Sequence, residues 1–153
     1  MNSSKDSQKH YPNIDENTYS RILELSKVGD AYTEQKEFVK AIESYHQAFD
    51  LIPEPFEVYI ASTWLLTAIG ESYLFMGDYE KARHALQEAM YCPDAIGNPY
   101  IHLKLGQAQL ELRNFERAQE ELARAYIIEG KAIFENEDLK YYEYLKTFLR
   151  EVE

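Results

Sequence analysis

One four-residue skeleton returns three times along this chain of 153 residues. Each copy has a glycine, then an aromatic residue nine positions later, then alanines at offsets of twelve and nineteen. The copies are Gly29, Phe38, Ala41, Ala48; Gly70, Tyr79, Ala82, Ala89; and Gly106, Phe115, Ala118, Ala125. Self-similarity at fixed offsets is typical of stacked repeat architectures. Because such architectures build extended concave surfaces, the skeleton predicts a chain that binds a partner.

The residues between the skeleton positions predict an all-α fold. Apolar side chains recur at three- and four-residue steps, and no strand pattern is present. We expect three helix pairs, over residues 17–53, 55–93 and 98–130, and a capping helix over residues 137–152. Asn98 followed by Pro99 is a strong helix start. Residues 1–16 are polar and lack periodicity, which predicts a disordered or loosely ordered leader.

The three glycines lie inside predicted helices, where glycine costs up to about 1 kcal/mol relative to alanine. Such a glycine is tolerated when a neighbour fills the space of its missing Cβ. The expected neighbours come from the second helix of each pair: Tyr45, Leu86 and Leu122. The skeleton is therefore predicted to be packing within each helix pair.

The pattern resembles the tetratricopeptide repeat, a 34-residue helix–turn–helix unit with a Leu-Gly-x-x-Tyr and Ala-x-x-x-Phe signature. The first copy carries Leu25, Gly29, Tyr32, Ala41 and Tyr45 at those places. The resemblance implies a right-handed superhelical solenoid of three hairpins with a C-terminal capping helix. Gly29 and Gly70 are seven residues further apart than this period, and we expect the addition to lengthen the third helix from Pro55 to about Ser62.

The resemblance also implies that the first helix of each pair lines a concave groove. The residues predicted to contact a partner there are Asp30, Glu34, Trp64, Glu71, Leu74, Phe75, Tyr100, Gln107 and Glu111. Aromatic anchors with a charged rim are typical of protein-binding surfaces. The lysines and asparagines with which one variant of the family grips a C-terminal carboxylate are missing, apart from Lys104. An alternative interpretation packs Trp64 and Phe75 inside the fold.

The charge balance restricts the class of partner. The chain has 27 acidic and 16 basic residues, a formal net charge of -11. The charge argues against nucleic acid as a ligand, because binding to phosphate backbones needs clustered lysine and arginine. A protein or peptide partner with a basic patch fits better. No segment is apolar and long enough to cross a bilayer. The single cysteine, Cys92, excludes an intrachain disulfide and favours a cytoplasmic location.

Nothing in the sequence predicts an enzyme, a metal site or a cofactor. The four histidines, His10, His46, His84 and His102, include no pair at the i, i+4 spacing of a helical metal site. There is no glycine-rich phosphate loop and no G-x-S-x-G elbow. His102 takes the place of a large repeat residue and is predicted to be packed in the core.

Two alternative functions remain open. The tail from Gly130 through Phe134 and Glu137 to Tyr141 is similar to that of short bacterial repeat proteins encoded beside secreted polymorphic toxins. That likeness implies an immunity protein that neutralises a basic toxin domain. The other alternative is a self-associating scaffold that forms a homodimer through aromatic residues of the last helix, Tyr142, Tyr144 and Phe148.

Overall fold

The structure, a computed structural model, describes residues 11–150. Seven α-helices and two 3-10 turns make up the regular structure of that range, which contains no strand. The α-helices are α1 Glu16–Glu34, α2 Phe38–Phe49, α3 Ile60–Met76, α4 Tyr79–Ala89, α5 Pro99–Glu111, α6 Phe115–Glu129 and α7 Leu139–Phe148. The 3-10 turns are Phe56–Val58 and Lys131–Phe134. The all-α prediction is confirmed. Most of the predicted leader, residues 1–10, lies outside the described residues.

Helices α1 and α2, α3 and α4, and α5 and α6 form three consecutive hairpins, each packed on the next. Their closing turns place Lys36, Gly77 and Arg113 at positive φ, seven residues after each skeleton glycine. Only Gly77 adopts this left-handed backbone without a Cβ penalty. Asx side chains begin several helices; Asn98, for example, accepts hydrogen bonds from the backbone N–H groups of Tyr100 and Ile101.

The skeleton glycines mark the closest approach within each hairpin. A Cβ on Gly29 would lie 2.5 Å from the Tyr45 ring, and one on Gly70 or Gly106 would lie 2.6 or 2.8 Å from Leu86 or Leu122. These are the three partners expected from the sequence. The alanines at offsets twelve and nineteen are buried completely, so the glycine and alanine positions of the skeleton are interior packing in all three hairpins, whereas the aromatic Phe115 is 51% exposed.

The predicted lengthening of the third helix is wrong. Helix α3 begins at Ile60, and the preceding residues form a loop with the 3-10 turn Phe56–Val58. Tyr59, immediately before α3, has extended backbone with φ of -103° and ψ of 131°, so the helix does not continue back from Ile60 into the 3-10 turn. Ser62 Oγ donates a hydrogen bond of 2.7 Å to the Phe56 carbonyl and holds this loop against the start of α3.

The capping segment, residues 130–148, closes the third hairpin. Helix α7 is shorter than expected at both ends, and Asp138 caps its start. Phe134, Tyr142 and Leu145 are buried with Leu103 and Leu122 in one apolar cluster. As a result α5 is buried on all sides from 101 to 109. The groove that three repeats would offer is therefore covered along much of its third repeat.

Candidate functional site

The open part of the concave face runs along α1 and α3 to the start of α5. Here Trp64, Glu71 and Tyr100 line one pocket of about 400 Å³. Trp64 is partly buried against the core of the first two hairpins, whereas Tyr100 remains 38% exposed. Two predicted residues of the second repeat and one of the third are thus brought together. The partial burial of Trp64 agrees in part with the interpretation that packs it inside the fold, and its contact with a partner stays a prediction.

Glu71 and Tyr100 both line this pocket. Burial, and then the interaction of its hydroxyl with the Glu71 carboxylate, raise the pKa of Tyr100 well above its ordinary value. The Tyr100 hydroxyl therefore stays protonated at neutral pH.

Phe75 lies at the far end of α3, outside the pocket. It is 55% exposed, and its ring stacks on that of Phe38 with centroids 5.0 Å apart and planes inclined by 13°. Leu74, beside it, is half-buried against the cluster between α4 and α5. Phe75 therefore offers an aromatic surface to a partner, whereas Leu74 contributes mainly to packing.

Asp30 and Glu34 are exposed on α1. Asp30 accepts a hydrogen bond of 2.6 Å from the Tyr45 hydroxyl, which also lies 3.2 Å from Thr33 Oγ1. Burial and the Asp30 carboxylate together raise the pKa of Tyr45 well above its ordinary value. The rim of the first repeat is therefore acidic and solvent-accessible.

Gln107 and Glu111 were predicted to contact a partner, but in the structure both are engaged by the capping segment. Gln107 is 3% exposed and donates a hydrogen bond of 2.9 Å to Glu137 of the capping segment. Glu111 accepts a hydrogen bond of 2.8 Å from the Tyr141 hydroxyl and pairs with Lys140. The physical reason is that the capping segment lies on the positions where a bound partner would lie in an open third repeat.

Lys104 is the one basic side chain of the predicted groove positions, and it is also committed internally. It is 4% exposed, its ammonium lies 2.8 Å from Glu137 and 3.9 Å from Glu71, and it stands 5.2 Å from the centre of the Tyr100 ring. Because its ammonium is buried and its charge is balanced by two partly buried carboxylates, it offers little attraction to an anionic ligand.

Two residues that shape the pocket were missed by sequence reasoning. Asp94, in the loop between α4 and α5, lines the pocket, has φ of 60° and accepts a hydrogen bond of 2.5 Å from Tyr11. Asn98 lines it too, although only its capping role was predicted. The loop belongs to no repeat, so no periodic signal could identify Asp94.

The loop is held from both ends. Thr63 Oγ1 donates a hydrogen bond of 2.7 Å to the Pro93 carbonyl. His102 is 2% exposed; its Nε2 accepts the Gly97 N–H at 3.0 Å, so its Nδ1 carries the proton and donates to Glu121 at 2.5 Å. The core placement expected for His102 is thus observed, and the histidine positions one wall of the pocket.

The structure also bears on the metal sites, membrane spans, cysteine and last-helix aromatic residues considered in the sequence analysis. No group of histidine, cysteine and acidic residues within 11–150 has the arrangement of a metal site. Across the same residues no helix combines the length and apolarity that a membrane span requires. Cys92 is a free buried thiol, and burial raises its pKa to about 11. The aromatic residues proposed for self-association, Tyr142, Tyr144 and Phe148, belong to or pack against the cluster under α7.

Comparison with known proteins agrees with this geometry. Residues 20–90 match a family model described as tetratricopeptide repeat. A search of curated proteins by sequence found no match.

Solved structures share the fold at low sequence identity. The Arabidopsis OM64 TPR domain has a TM-score of 0.68 and 16% identity, over 88% of this chain and 99% of that one. The first TPR of Spaghetti (RPAP3), bound to the HSP90 peptide SRMEEVD, has a TM-score of 0.66 and 18% identity, over 84% and 90%. The first TPR domain of human RPAP3 has a TM-score of 0.65 and 20% identity, over 83% and 94%.

Proposed function

We propose that the chain is a tetratricopeptide-repeat protein and acts as a non-catalytic interaction module that binds a basic protein or peptide along the open part of its groove. The observation that carries this proposal is the surface of α1, α3 and the start of α5. Trp64, Phe75 and Tyr100 are accessible there beside the carboxylates of Asp30, Glu34 and Glu71. Accessible aromatic anchors among charges are the composition of interaction hot spots.

The charge of the chain supports a basic partner. A net charge of -11 attracts cationic surfaces over distances near the Debye length, about 8 Å at physiological salt, and speeds their encounter. The structurally similar first TPR of Spaghetti (RPAP3) is bound to the HSP90 peptide SRMEEVD, which carries three acidic residues. We expect the peptide SRMEEVD not to bind here, because Lys104 is buried and paired with Glu137. The buried free thiol of Cys92 fits a reducing, cytoplasmic location.

Neither alternative function draws specific support from the contacts. The tail motif that suggested an immunity protein is used internally, since Phe134 is 5% exposed and Glu137 binds Lys104 and Gln107. A scaffold built on the last helix would need accessible aromatic residues, and Tyr142 is 6% exposed. Gel filtration with light scattering tests the scaffold, because a monomer at micromolar concentration excludes it.

A peptide-display selection on the immobilised full chain tests the proposal. Selected peptides are resynthesised, and their Kd values are measured by fluorescence anisotropy for the wild type, Trp64→Ala and Glu71→Gln. We expect Trp64→Ala to weaken binding at least tenfold, about 1.4 kcal/mol. Circular dichroism establishes that each variant is folded.

Matched controls replace similar side chains outside the groove. Tyr91→Ala removes an exposed aromatic residue between α4 and α5, and Glu120→Gln removes an exposed carboxylate on α6. Both should leave Kd within twofold of the wild type. Peptides that bind equally well to both groove variants, or lose affinity equally in the controls, would contradict a groove-centred function.

A further inference from the structure

A second pocket lies beside the one that contains Trp64, between α1 and α3. Its volume is about 470 Å³, within the range of sites that accept ligand side chains and small molecules. Ile60 lines both pockets, so the two are contiguous along the open part of the groove. The apolar and aromatic residues that line this α1–α3 pocket are Pro12, Ile14, Tyr19, Tyr59, Ile60 and Ala61.

Two segments outside the repeat pattern build much of the α1–α3 pocket. Pro12 and Ile14 precede α1, and Tyr59 ends the loop inserted before α3. Both segments are anchored. Ile14 and Tyr59 pack against the apolar core of the first two hairpins, and Asp15 caps α1 by accepting a hydrogen bond of 3.1 Å from the Thr18 N–H. The pocket is therefore a preformed feature of this chain rather than a consequence of the repeat.

The lining of the α1–α3 pocket leaves apolar surface in water. Tyr19 is 40% exposed and Ile60 is 37% exposed, while Ala61 is buried and its short side chain forms the floor. Among the described residues that line the pocket, Glu16 alone carries a charge, and it is exposed on the first turn of α1. Removing apolar surface from water is favourable, whereas burying a charged group is costly. The lining therefore favours an apolar group.

The position of the pocket on α3 indicates which residue of a partner would reach it. Ile60 and Trp64 are four residues apart in α3, so they lie on one face of the helix, about 6 Å apart along its axis. An extended peptide that runs along α3 advances about 3.4 Å per residue and turns alternate side chains to the same side. The residue two positions from the one that contacts Trp64 therefore comes level with the α1–α3 pocket.

We propose that the α1–α3 pocket receives a large apolar side chain of the bound partner, a phenylalanine or a leucine. The inference rests on the proposed function, since it assigns one position of the groove to one residue of the partner. Tyr19 and Tyr59 favour an aromatic ring, because pairs of aromatic rings attract each other beyond what the burial of their surface provides. The partner then combines an apolar anchor with basic residues around it.

Methyl NMR of the full chain tests this assignment, with the isoleucine δ1 and alanine methyl groups ¹³C-labelled. The probes are N-acetyl-phenylalanine amide, N-acetyl-alanine amide and N-acetyl-lysine amide. The phenylalanine amide should shift the Ile60 and Ala61 methyl signals saturably at millimolar concentration, and the other two probes should bind at least fivefold more weakly. Ile96, an isoleucine of the α4–α5 loop that is 77% exposed, is the matched control and should not shift.

Substitutions at the pocket wall separate apolar packing from hydrogen bonding and charge. Tyr19→Ala should weaken the phenylalanine amide at least fivefold, whereas Tyr19→Phe and Glu16→Gln should each leave its Kd within twofold. Tyr91→Ala, at an exposed tyrosine between α4 and α5, is the matched control and should leave Kd unchanged. Circular dichroism establishes that each variant is folded.

Three results would overturn the apolar assignment. They are a lysine amide that binds as tightly as the phenylalanine amide, unchanged affinity in Tyr19→Ala, and Ile60 and Ala61 methyl signals that stay in place at the highest soluble probe concentration. The first of these would indicate a cation site at Glu16.

The outcome separates this inference from the function on which it rests. If displayed peptides depend on Trp64 but are insensitive to Tyr19→Ala and share no apolar residue, the pocket assignment is wrong and the interaction function stands. If no displayed peptide depends on the groove, the interaction function fails. In that case the methyl titration still decides the pocket, since it reports binding of the isolated side-chain group.

Discussion

The two ends of the concave face are built from equivalent helices but differ in solvent exposure: the first repeat is open and the third is covered. At the first repeat, Asp30 is exposed and accepts a hydrogen bond from Tyr45. At the third, Glu111 is 19% exposed in its side chain and accepts an equivalent bond from Tyr141. The difference shows that the repeat motif alone does not determine whether a groove residue is available. What packs over it decides.

The largest loss of stability should come from removing the contacts that hold the capping segment on the third repeat. Glu137→Ala removes the partner of both Lys104 and Gln107, which are 4% and 3% exposed. Loss of one member of a buried ion pair leaves an uncompensated charge, and we expect the free energy of unfolding to fall by about 2–4 kcal/mol. Urea denaturation followed by circular dichroism measures it.

Glu135→Ala is the matched control, since it removes an exposed carboxylate two residues away. It should change stability by no more than about 0.5 kcal/mol. A similar loss in both variants would mean that the buried cluster does not hold the capping segment.

The close approach of the two helices can also be compared between the first and third hairpins. Gly29→Ala and Gly106→Ala each drive a Cβ to within 3 Å of the facing side chain. We expect overpacking to cost about 1–3 kcal/mol in each, despite the better helix propensity of alanine. Thermal and urea unfolding measure both. Comparable losses would show that the hairpins are alike and only their groove faces differ, whereas a gain in either would refute the close approach there.

The smallest effect compares the two tyrosine–carboxylate pairs directly. Tyr141→Phe leaves Glu111 with less compensation in a covered site, and we expect a loss of about 1–1.5 kcal/mol. Tyr45→Phe should cost about 0.5–1 kcal/mol, because exposed Asp30 regains water. The measurement is again the free energy of unfolding at neutral pH. The reverse order would show that the first repeat is the more desolvated of the two.

The two tyrosine–carboxylate pairs also predict how stability changes at alkaline pH. Burial, followed by the hydrogen bond to a carboxylate, raises the pKa of both Tyr45 and Tyr141. Because the unfolded tyrosine has a pKa near 10, the stability from each is complete below about pH 10 and decreases as pH rises above it. Tyr141→Phe and Tyr45→Phe should each flatten that decrease between pH 9 and 11. An unchanged slope in both variants would contradict the coupling.

The predictable part of the fold is the part that repeats. The partners of Gly29, Gly70 and Gly106 follow from a fixed offset within a hairpin, so local sequence determines them. The start of α3 was not predictable from repeat length alone, since the inserted residues carry no periodic signal that distinguishes a longer helix from a loop. Trp64 and Tyr100 could be placed on the groove by analogy with the repeat.

The non-repeating parts account for what the sequence did not reveal about the site. Gln107 and Glu111 occupy groove positions in the repeat pattern, yet a segment thirty residues later, which follows no pattern, covers them. Asp94 lies in an irregular loop whose path is determined by Thr63 and His102. Contacts of this kind depend on packing between distant segments, and neither propensity nor periodicity encodes them.

The pairing of Lys104 and Gln107 with Glu137 also limits the length of the array. An additional hairpin inserted after α6 would displace Glu137 and leave two polar side chains of α5 buried without partners. Engineering a longer repeat protein from this chain would require apolar replacements at both positions, or an acid in the new unit that reaches them. The buried polar residues of the third repeat thus require the capping segment next to it. The first two repeats are therefore the units suited to duplication.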